Sequence, residues 1–316
     1  MDLFWYLIYF VISLTVLVVS ADKFVSNSSS LAKNLGVSEL TIGLTIIALG
    51  TSAPEIFVGI SSVINEAESI AMGTVIGSNI SNIALIFGVA CIGGISAKSD
   101  MNLNQIWPFL LSLTVLGISL LNFQVSVAES MLMLLIFLFS IYLIFKYGRN
   151  EFVEEVSNAD GIYKKPLLLS FIALSGLLIG SYFSVINAEM IAKTIGVPDL
   201  IIGLTIVALG TSLPELAATI AALVQRRDAM VVGNILGSNI LNIVIVVPII
   251  GLFSYVELDQ AIFSRDFLFL VLLSIAFVII AILKYKKSIP SIIIRISGFI
   301  LLSLYVIYIF NLSGLI

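Results

Sequence analysis

The chain has 316 residues, of which 60% are apolar and 11% are charged, and its mean hydropathy is +1.18. Because soluble proteins carry about 25% charged residues, this composition excludes a soluble domain and predicts an integral membrane protein. The chain has no histidine, a single cysteine and a net charge of −4. These values exclude a disulfide framework and a thiolate metal cluster, and without a basic patch they predict no nucleic-acid partner.

Ten segments are mostly apolar over roughly the 20 residues that a spanning helix needs. The polar stretch 146–165 divides them into two groups of five and is typical of a solvated linker. The predicted spans are 3–20, 38–64, 70–95, 106–121 and 127–145, followed by 166–186, 198–224, 229–253, 266–283 and 291–311. We therefore predict an all-α membrane protein with a first five-helix repeat at 1–145, a cytoplasmic linker at 146–165 and a second five-helix repeat at 166–316.

The first segment could be mistaken for a signal peptide, because Val-Ser-Ala ending at Ala21 resembles a cleavage site. However, Asp2 stands where a signal peptide carries basic residues. The segment also has a counterpart at 167–186 in the second half. We expect it to be retained as a helix.

The distribution of lysine and arginine predicts the orientation. If the N-terminus lies outside, 13 of the 15 basic residues face the cytoplasm, and only Lys193 and Arg265 face outward. This asymmetry follows the positive-inside rule and places both termini on the extracytoplasmic side. Each half has an odd number of spans, so the second half enters the membrane from the opposite side. Similar halves in opposite orientations form an inverted-topology repeat, which is typical of secondary transporters.

The strongest internal similarity lies at 42–55 and 202–215, which align with each other without a gap. Each copy contains Gly-Thr-Ser-x-Pro-Glu within an apolar run and places one carboxylate, Glu55 or Glu215, at membrane depth. A charged side chain there costs about 2.5–3.5 kcal/mol on insertion scales. A buried structural hydrogen bond is the weaker explanation, and we expect the two glutamates to meet and share a positive ion.

The proline and glycine of this motif predict a break in its helix. Proline removes a backbone donor and disfavours helical geometry in the preceding residue, and glycine adds conformational freedom. The freed carbonyls of Ala48–Thr51 are hard oxygen donors, and irregular backbone at that depth needs a protein or watered environment. The hydroxyls of the two copies either add ligands or bond back to the preceding turn. These hydroxyls belong to Thr51, Ser52, Thr211 and Ser212.

A second motif, Gly-Ser-Asn-x-x-Asn, occurs at 77–82 and 237–242, in the same gapless alignment of the two halves. Close helix packing accounts for its small residues but not for its asparagines. Ser78 and Asn82 are four residues apart and share a helix face, which could present a hydroxyl and an amide carbonyl toward Glu55. Asn79 points about 100° away and is expected to make a helix–helix hydrogen bond.

Both motifs together offer carboxylates, hydroxyls, amides and backbone carbonyls, which are all oxygen donors. Such a set favours hard cations such as Ca²⁺ and Na⁺ over Zn²⁺ or copper. The charge of the two glutamates is balanced by one Ca²⁺ or by two Na⁺. Ions that compete for the same oxygens, and cannot occupy them together, are what exchange requires.

These repeated motifs resemble the paired alpha-repeats of the sodium/calcium exchanger family, within the calcium/cation antiporter superfamily. The resemblance covers both halves and implies ten helices, with the first and sixth sliding past the other eight in alternating access. It also implies exchange of Na⁺ for Ca²⁺, both as transported substrates, without a cofactor. The implied ion ligands are Ala48, Thr51, Ser52, Glu55, Ser78 and Asn82, with Ala208, Thr211, Ser212, Glu215, Ser238 and Asn242, the two alanines acting through their backbone carbonyls.

One position departs from the family pattern. Many sodium/calcium exchangers carry aspartate at the end of the second Gly-Ser-Asn motif, where this chain has Asn242. The asparagine makes the two repeats more symmetric and removes one charge. The ratio of Na⁺ to Ca²⁺ and the ion selectivity therefore stay open.

A proton-coupled Ca²⁺ or cation antiporter is the alternative, because the glutamates could carry protons in place of Na⁺. An intramembrane enzyme is disfavoured, since without histidine the serines have no evident activator. A passive channel is disfavoured because broken helices in inverted repeats are typical of carriers. We expect an antiporter that is not an enzyme, and a monomer in the lipid bilayer of a prokaryote-like plasma (inner) membrane.

Overall fold

The computed structural model describes residues 3–65, 68–95, 103–148, 163–197, 208–253, 260–285 and 290–312. This part of the chain is almost entirely helical. The helices are α1 (Leu3–Leu35), α2 (Glu39–Thr51), α3 (Ala53–Ile64), α4 (68–92), α5 (Trp107–Leu121), α6 (Val127–Tyr147), α7 (Lys164–Thr194), α8 (Leu213–Val224), α9 (Asp228–Phe253), α10 (260–285) and α11 (Ser291–Leu312). A 3₁₀ turn at Leu103–Ile106 precedes α5, and a short helical segment at Ala208–Gly210 precedes α8.

The predicted all-helical membrane fold is confirmed. Within the described ranges, eight helices are long and apolar enough to cross a bilayer, and the bent pair α2–α3 brings this number to nine. α8 is a shorter apolar helix, and the predicted span 198–224 to which it belongs lies partly outside the described residues. Most of the predicted linker 146–165 also lies outside them. The count of ten spans and the inverted arrangement therefore stay predictions.

Two helices extend well beyond their predicted spans. α1 continues to Leu35, where the prediction ended at residue 20, and α7 continues to Thr194, where it ended at residue 186. The polar residues of the α1 extension stay helical because Phe24, Val25 and Ser28 are buried against other helices. With 33 residues, α1 is about 50 Å long, which exceeds the roughly 30 Å hydrocarbon core. The helix is therefore tilted or projects beyond that core.

α4 and α9 form the centre of the protein. In their most apolar windows, 78% and 83% of the residues are buried, compared with 11% for α1. These central helices carry the two Gly-Ser-Asn-x-x-Asn motifs. The exposed apolar faces of the peripheral helices, including α1 and α11, are suited to lipid.

Glycines bring α2 and α9 into backbone contact. A Cβ added to Gly43 would lie 2.7 Å from the Met230 carbonyl oxygen, and one added to Gly233 would lie 2.5 Å from the Leu40 carbonyl oxygen. Side-chain carbons do not approach backbone atoms this closely, so only glycine fits at both positions. α2 and α9 therefore pack without an intervening layer of side chains, as small residues allow in membrane proteins.

α1 and α7 form a second close pair along their lengths. A Cβ added to Gly180 of α7 would lie 2.6 Å from the Leu17 backbone nitrogen of α1. Near this point, the Ser184 hydroxyl donates to the Ser13 hydroxyl at 3.1 Å. The pair also packs against the end of α2, because a Cβ added to Gly50 of α2 would lie 3.0 Å from the Leu174 side chain of α7.

We predict that Gly233→Ala destabilises the protein by about 1–3 kcal/mol, because the added methyl group can be accommodated only by separating α9 from α2. The measurement is the thermal unfolding midpoint of the purified protein in detergent. Gly93→Ala is the matched control, since its φ of −62° suits alanine and the nearest atom to the added Cβ is 3.4 Å away. Equal midpoints for the two variants would contradict the close approach of α2 and α9.

Candidate functional site

Both copies of the Gly-Thr-Ser-x-Pro-Glu motif interrupt their helices, which confirms the predicted breaks. α2 ends at Thr51, the chain turns at Ser52, and α3 continues at an angle of 46°. In the second copy, Thr211 and Ser212 form the turn that precedes α8. The two motifs therefore have matching local structures.

Each break begins a helix whose first turn holds a proline and then a glutamate. Proline costs no hydrogen bond there, because the first N–H groups of a helix have no intrahelical partner. Glu55 and Glu215 follow in the first turns of α3 and α8. The partial positive charge at a helix N-terminus favours a carboxylate at this position.

The two glutamate side chains are buried in the same region of the protein interior. Both residues are 1% exposed, and Ser52, three residues before Glu55, hydrogen-bonds to Glu215. The Ser78 hydroxyl donates to Glu55 Oε1 at 3.3 Å, as the shared helix face predicts. The Ser52 hydroxyl donates to Glu215 Oε1 at 3.2 Å and so joins the first half to the glutamate of the second.

Neither glutamate belongs to any of the ion pairs formed within the described ranges. Those pairs involve other carboxylates, including Glu39 with Arg227 and Asp266 with Arg265. Within the described ranges, these two buried carboxylates thus have no basic side chain to balance them. Buried charge is costly unless a counter-charge or metal compensates it, so the site is suited to a cation.

Seven buried polar atoms of the predicted ligands have no hydrogen-bond partner in the part of the chain that the structure describes. They are Glu55 Oε2, Glu215 Oε2, Ser212 Oγ, Ser238 Oγ, Asn82 Oδ1, Asn82 Nδ2 and Asn242 Oδ1. An unpaired buried polar atom costs about 1–3 kcal/mol, so such atoms are rare. All but one of the seven are oxygens, the ligand type that Ca²⁺ and Na⁺ prefer.

Thr51 contacts a residue that the sequence analysis did not single out. Its hydroxyl lies 3.0 Å from the Ile47 carbonyl and 3.2 Å from Asn234 Oδ1. The contact with Ile47 is the bond to the preceding turn that the sequence analysis gave as the alternative to ion binding. Asn234 Nδ2 lies 3.4 Å from the Glu215 backbone carbonyl and 3.2 Å from the Thr219 hydroxyl. Asn234 therefore joins α2, α8 and α9 beside the second glutamate.

The sequence contains a signal for Asn234 when the two halves are aligned. Its counterpart in the first half is Thr74, so the comparison of the halves marks a polar residue near the start of both spans. Thr219, which hydrogen-bonds to Asn234, aligns with Gly59 of the first half. The comparison of the halves therefore does not mark position 219 as polar. This contact depends on how α8 packs on α9, which the sequence alone does not specify.

One of the predicted backbone ligands already accepts a hydrogen bond, whereas the break in its helix predicted a free carbonyl group. The Ala48 carbonyl accepts a hydrogen bond from the Ser52 N–H at 2.9 Å, although a carbonyl oxygen has a second lone pair. Ala208 begins the short segment that precedes the second break. Thr211 is half-buried in the turn.

The second motif widens its helix near its last asparagine. π-helical turns occupy Ser81–Phe87 of α4 and Asn242–Val246 of α9. Such turns are rare and occur frequently at functional sites. They contain Asn82 and Asn242, which are both buried. The predicted helix–helix role of Asn79 is confirmed, because its Nδ2 donates to the Asn239 carbonyl of α9 at 3.4 Å.

Known proteins resemble this chain along nearly its whole length. A model of the family described as "sodium/calcium exchanger protein" matches residues 5–146 and 165–314. The chain belongs to the sodium/calcium exchanger family. Members of this family are transporters that carry ions, so the chain is a cation/Ca²⁺ antiporter of the membrane.

Individual relatives agree with this membership. The chain is 36% identical to the putative antiporter CaxA of Alkalimonas amylolytica, over 82% of this chain and 84% of that protein. It is 30% identical to the sodium/calcium exchanger MaX1 of Methanosarcina acetivorans, over 77% and 81% of the two chains. A structure of the sodium-calcium exchanger NCX_Mj soaked with Na⁺ and Sr²⁺ superposes with a TM-score of 0.82 at 30% identity, covering 98% of this exchanger-family chain and 99% of that chain.

We predict that Glu55→Gln and Glu215→Gln each stabilise the cation-free protein at alkaline pH, because each replaces an uncompensated buried charge by a neutral amide of the same shape. Each should also lose most of the Ca²⁺-induced rise in thermal unfolding midpoint. That rise corresponds to about 2.7 kcal/mol when Ca²⁺ is at 100 times its dissociation constant.

Glu189→Gln is the matched control for these variants. Glu189 lies near the end of α7, is partly exposed and pairs with Lys193 at 2.7 Å. The control should keep the full Ca²⁺-induced rise. An undiminished rise in either buried variant would contradict a role for that glutamate in the site.

Proposed function

We propose that this chain is a secondary active antiporter that exchanges Na⁺ for Ca²⁺ across the membrane by alternating access. The observation that carries this proposal is the pair of buried glutamates with no basic partner in the described ranges, surrounded by unpaired oxygens. One Ca²⁺ or two Na⁺ balance the two carboxylates. The two ions compete for the same oxygens, and that competition couples their movements.

The proposed ligands are the residues that the two motifs single out. The glutamates supply charge, the serines and threonines supply hydroxyl oxygens, the asparagines supply amide oxygens, and the alanines supply backbone carbonyls. Ca²⁺ takes 6–8 such oxygens at about 2.3–2.6 Å. The set consists of Glu55, Glu215, Thr51, Thr211, Ser52, Ser212, Ser78, Ser238, Asn82, Asn242, Ala48 and Ala208.

The proposal includes ten spans in two inverted five-helix repeats, joined by a cytoplasmic linker, with both termini outside the cytoplasm. The 13-to-2 division of basic residues supports this orientation. Matching breaks at equivalent positions of the two halves support the repeat. The protein acts as a monomer in a prokaryotic plasma membrane, and relatives described as bacterial inner-membrane and archaeal membrane proteins support that location.

Na⁺ is proposed as the coupling ion because MaX1 and NCX_Mj, which this chain resembles along most of its length, are named sodium/calcium exchangers. The site chemistry agrees with this choice, since Na⁺ and Ca²⁺ are both hard cations that take oxygen ligands. Coupling to protons is the alternative outcome of the experiment below.

We predict that vesicles containing the purified protein and loaded with Na⁺ take up ⁴⁵Ca²⁺ when diluted into Na⁺-free buffer at the same pH. Outward movement of Na⁺ down its gradient drives Ca²⁺ inward through the shared site. Vesicles containing Glu55→Gln should show no uptake above that of protein-free vesicles. Uptake that requires a pH gradient and ignores the Na⁺ gradient would assign proton coupling and contradict the proposal.

We predict that Asn242→Asp changes the Na⁺ dependence of ⁴⁵Ca²⁺ release more than it changes expression. The substitution adds a third carboxylate to a site with two, which strengthens the attraction for Na⁺ and permits a further ion to bind. The half-maximal Na⁺ concentration should fall and the Hill coefficient should rise. Asn122→Asp, in an exposed turn after α5, is the matched control. Unchanged Na⁺ affinity and Hill coefficient in Asn242→Asp would remove that position from the proposed site.

A further inference from the structure

Three asparagines form a chain of hydrogen bonds between the two central helices. Asn79 Nδ2 of α4 donates to the backbone carbonyl of Asn239 in α9 at 3.4 Å. Asn242 Nδ2 of α9 donates back to Asn79 Oδ1 at 3.2 Å. All three residues are at most 1% exposed. The amide of Asn79 thus lies between a main-chain acceptor and a proposed ligand.

This chain of bonds has only one possible direction. A backbone carbonyl can only accept, so the Asn79 NH₂ group must face Asn239. Asn79 Oδ1 then faces Asn242, and because this oxygen can only accept, Asn242 must donate to it through its NH₂ group. The direction of each amide is therefore set by its hydrogen-bond network. Asn242 Oδ1 is left on the opposite side as a buried acceptor with no partner in the described residues.

The corresponding residues of the other half are arranged differently. Asn239 is the counterpart of Asn79 when the halves are aligned, but its Nδ2 donates to the Ile235 carbonyl of its own helix at 2.6 Å. Asn82 is the counterpart of Asn242, and neither of its amide atoms has a hydrogen-bond partner within the described ranges. The Asn242 amide is held in one orientation, whereas no hydrogen bond from the described part of the chain holds the Asn82 amide.

We infer that Asn79 is a positioning residue that fixes the Asn242 amide with its oxygen toward the cation and its NH₂ group away from it. The inference rests on the proposed function, because it takes Asn242 as an ion ligand. An amide in the flipped orientation would direct partially positive N–H groups at the ion and remove one oxygen ligand. Asn79 therefore determines the chemical character of the one position at which this chain replaces the family's usual aspartate.

The role of Asn79 is tested by a double-mutant cycle with position 242. Asn79→Ala releases the Asn242 amide, so Ca²⁺ binding should weaken roughly tenfold, as expected for residues in direct contact. In the Asn242→Asp background the same change should cause no weakening. The two oxygens of a carboxylate are equivalent, so an aspartate needs no such orientation. The readout is equilibrium ⁴⁵Ca²⁺ binding to the purified full-length protein in detergent.

Asn239→Ala is the matched control, because it removes a buried asparagine that does not bond to Asn242 through its side chain. Its Ca²⁺ affinity should equal that of the unmodified protein. Asn79→Leu, which keeps the branched shape of the side chain, replaces Asn79→Ala if the alanine variant has a lowered unfolding midpoint. Both Asn79 variants should show the same dependence on residue 242.

Equal weakening by Asn79→Ala in both backgrounds would overturn the inference, because it would indicate a packing role only. No weakening in either background, or equal weakening by Asn239→Ala, would overturn it as well. The binding measurement needs no ion gradient, so it is independent of the vesicle experiment. If uptake proved proton-driven while the cycle behaved as expected, the coupling ion would be wrong and the role of Asn79 would stand.

Discussion

The structure depends on two buried carboxylates, those of Glu55 and Glu215, that form no ion pair with a basic side chain in the described ranges. Such an arrangement is unfavourable unless other groups offset it. The first turns of α3 and α8 place the positive ends of two helices at the glutamates, and Ser52 and Ser78 each donate a hydrogen bond to one carboxylate. The two most buried helices, α4 and α9, supply the surrounding polar groups. These groups offset the charges only partly, and a cation bound there, as proposed, would supply the remaining compensation.

The two halves are similar in sequence but unequal in the site. Both serines of the first half that were predicted as ligands donate to a glutamate, whereas Ser212 and Ser238 have buried hydroxyls without a partner in the described residues. Asn234 adds a network to the second half that its counterpart Thr74 cannot reproduce in the same form. Similar local sequences thus lie in different surroundings. Both halves retain unpaired oxygen atoms within the described ranges, but on different side chains.

The features that were predictable from the sequence are those fixed by local rules. Proline at 54 and 214 sets the breaks, and the four-residue spacing of Ser78 from Asn82 turns that face to Glu55. Contacts between distant segments were not predictable, and these include Ser52 with Glu215 and Asn234 with Thr51. They depend on how helices from the two halves pack. The hydropathy pattern also placed the end of the first helix at residue 20, whereas α1 continues to Leu35. Hydropathy does not reflect the burial that keeps the polar extension of α1 helical. The roles of the ligands in ion binding stay predictions.

The backbone contact between α2 and α9 has a consequence for ion size. Main chains that touch at Gly43 and Gly233 cannot move closer together there, which limits how far the α2 and α9 sides of the proposed site can contract. Mg²⁺ requires near-ideal octahedral oxygens at about 2.0–2.1 Å, whereas Ca²⁺ accepts irregular cages at about 2.3–2.6 Å. A cage whose opposite walls cannot contract disfavours the smaller ion. If the proposed ligands hold the ion, the close packing at these glycines would favour the larger Ca²⁺ over Mg²⁺.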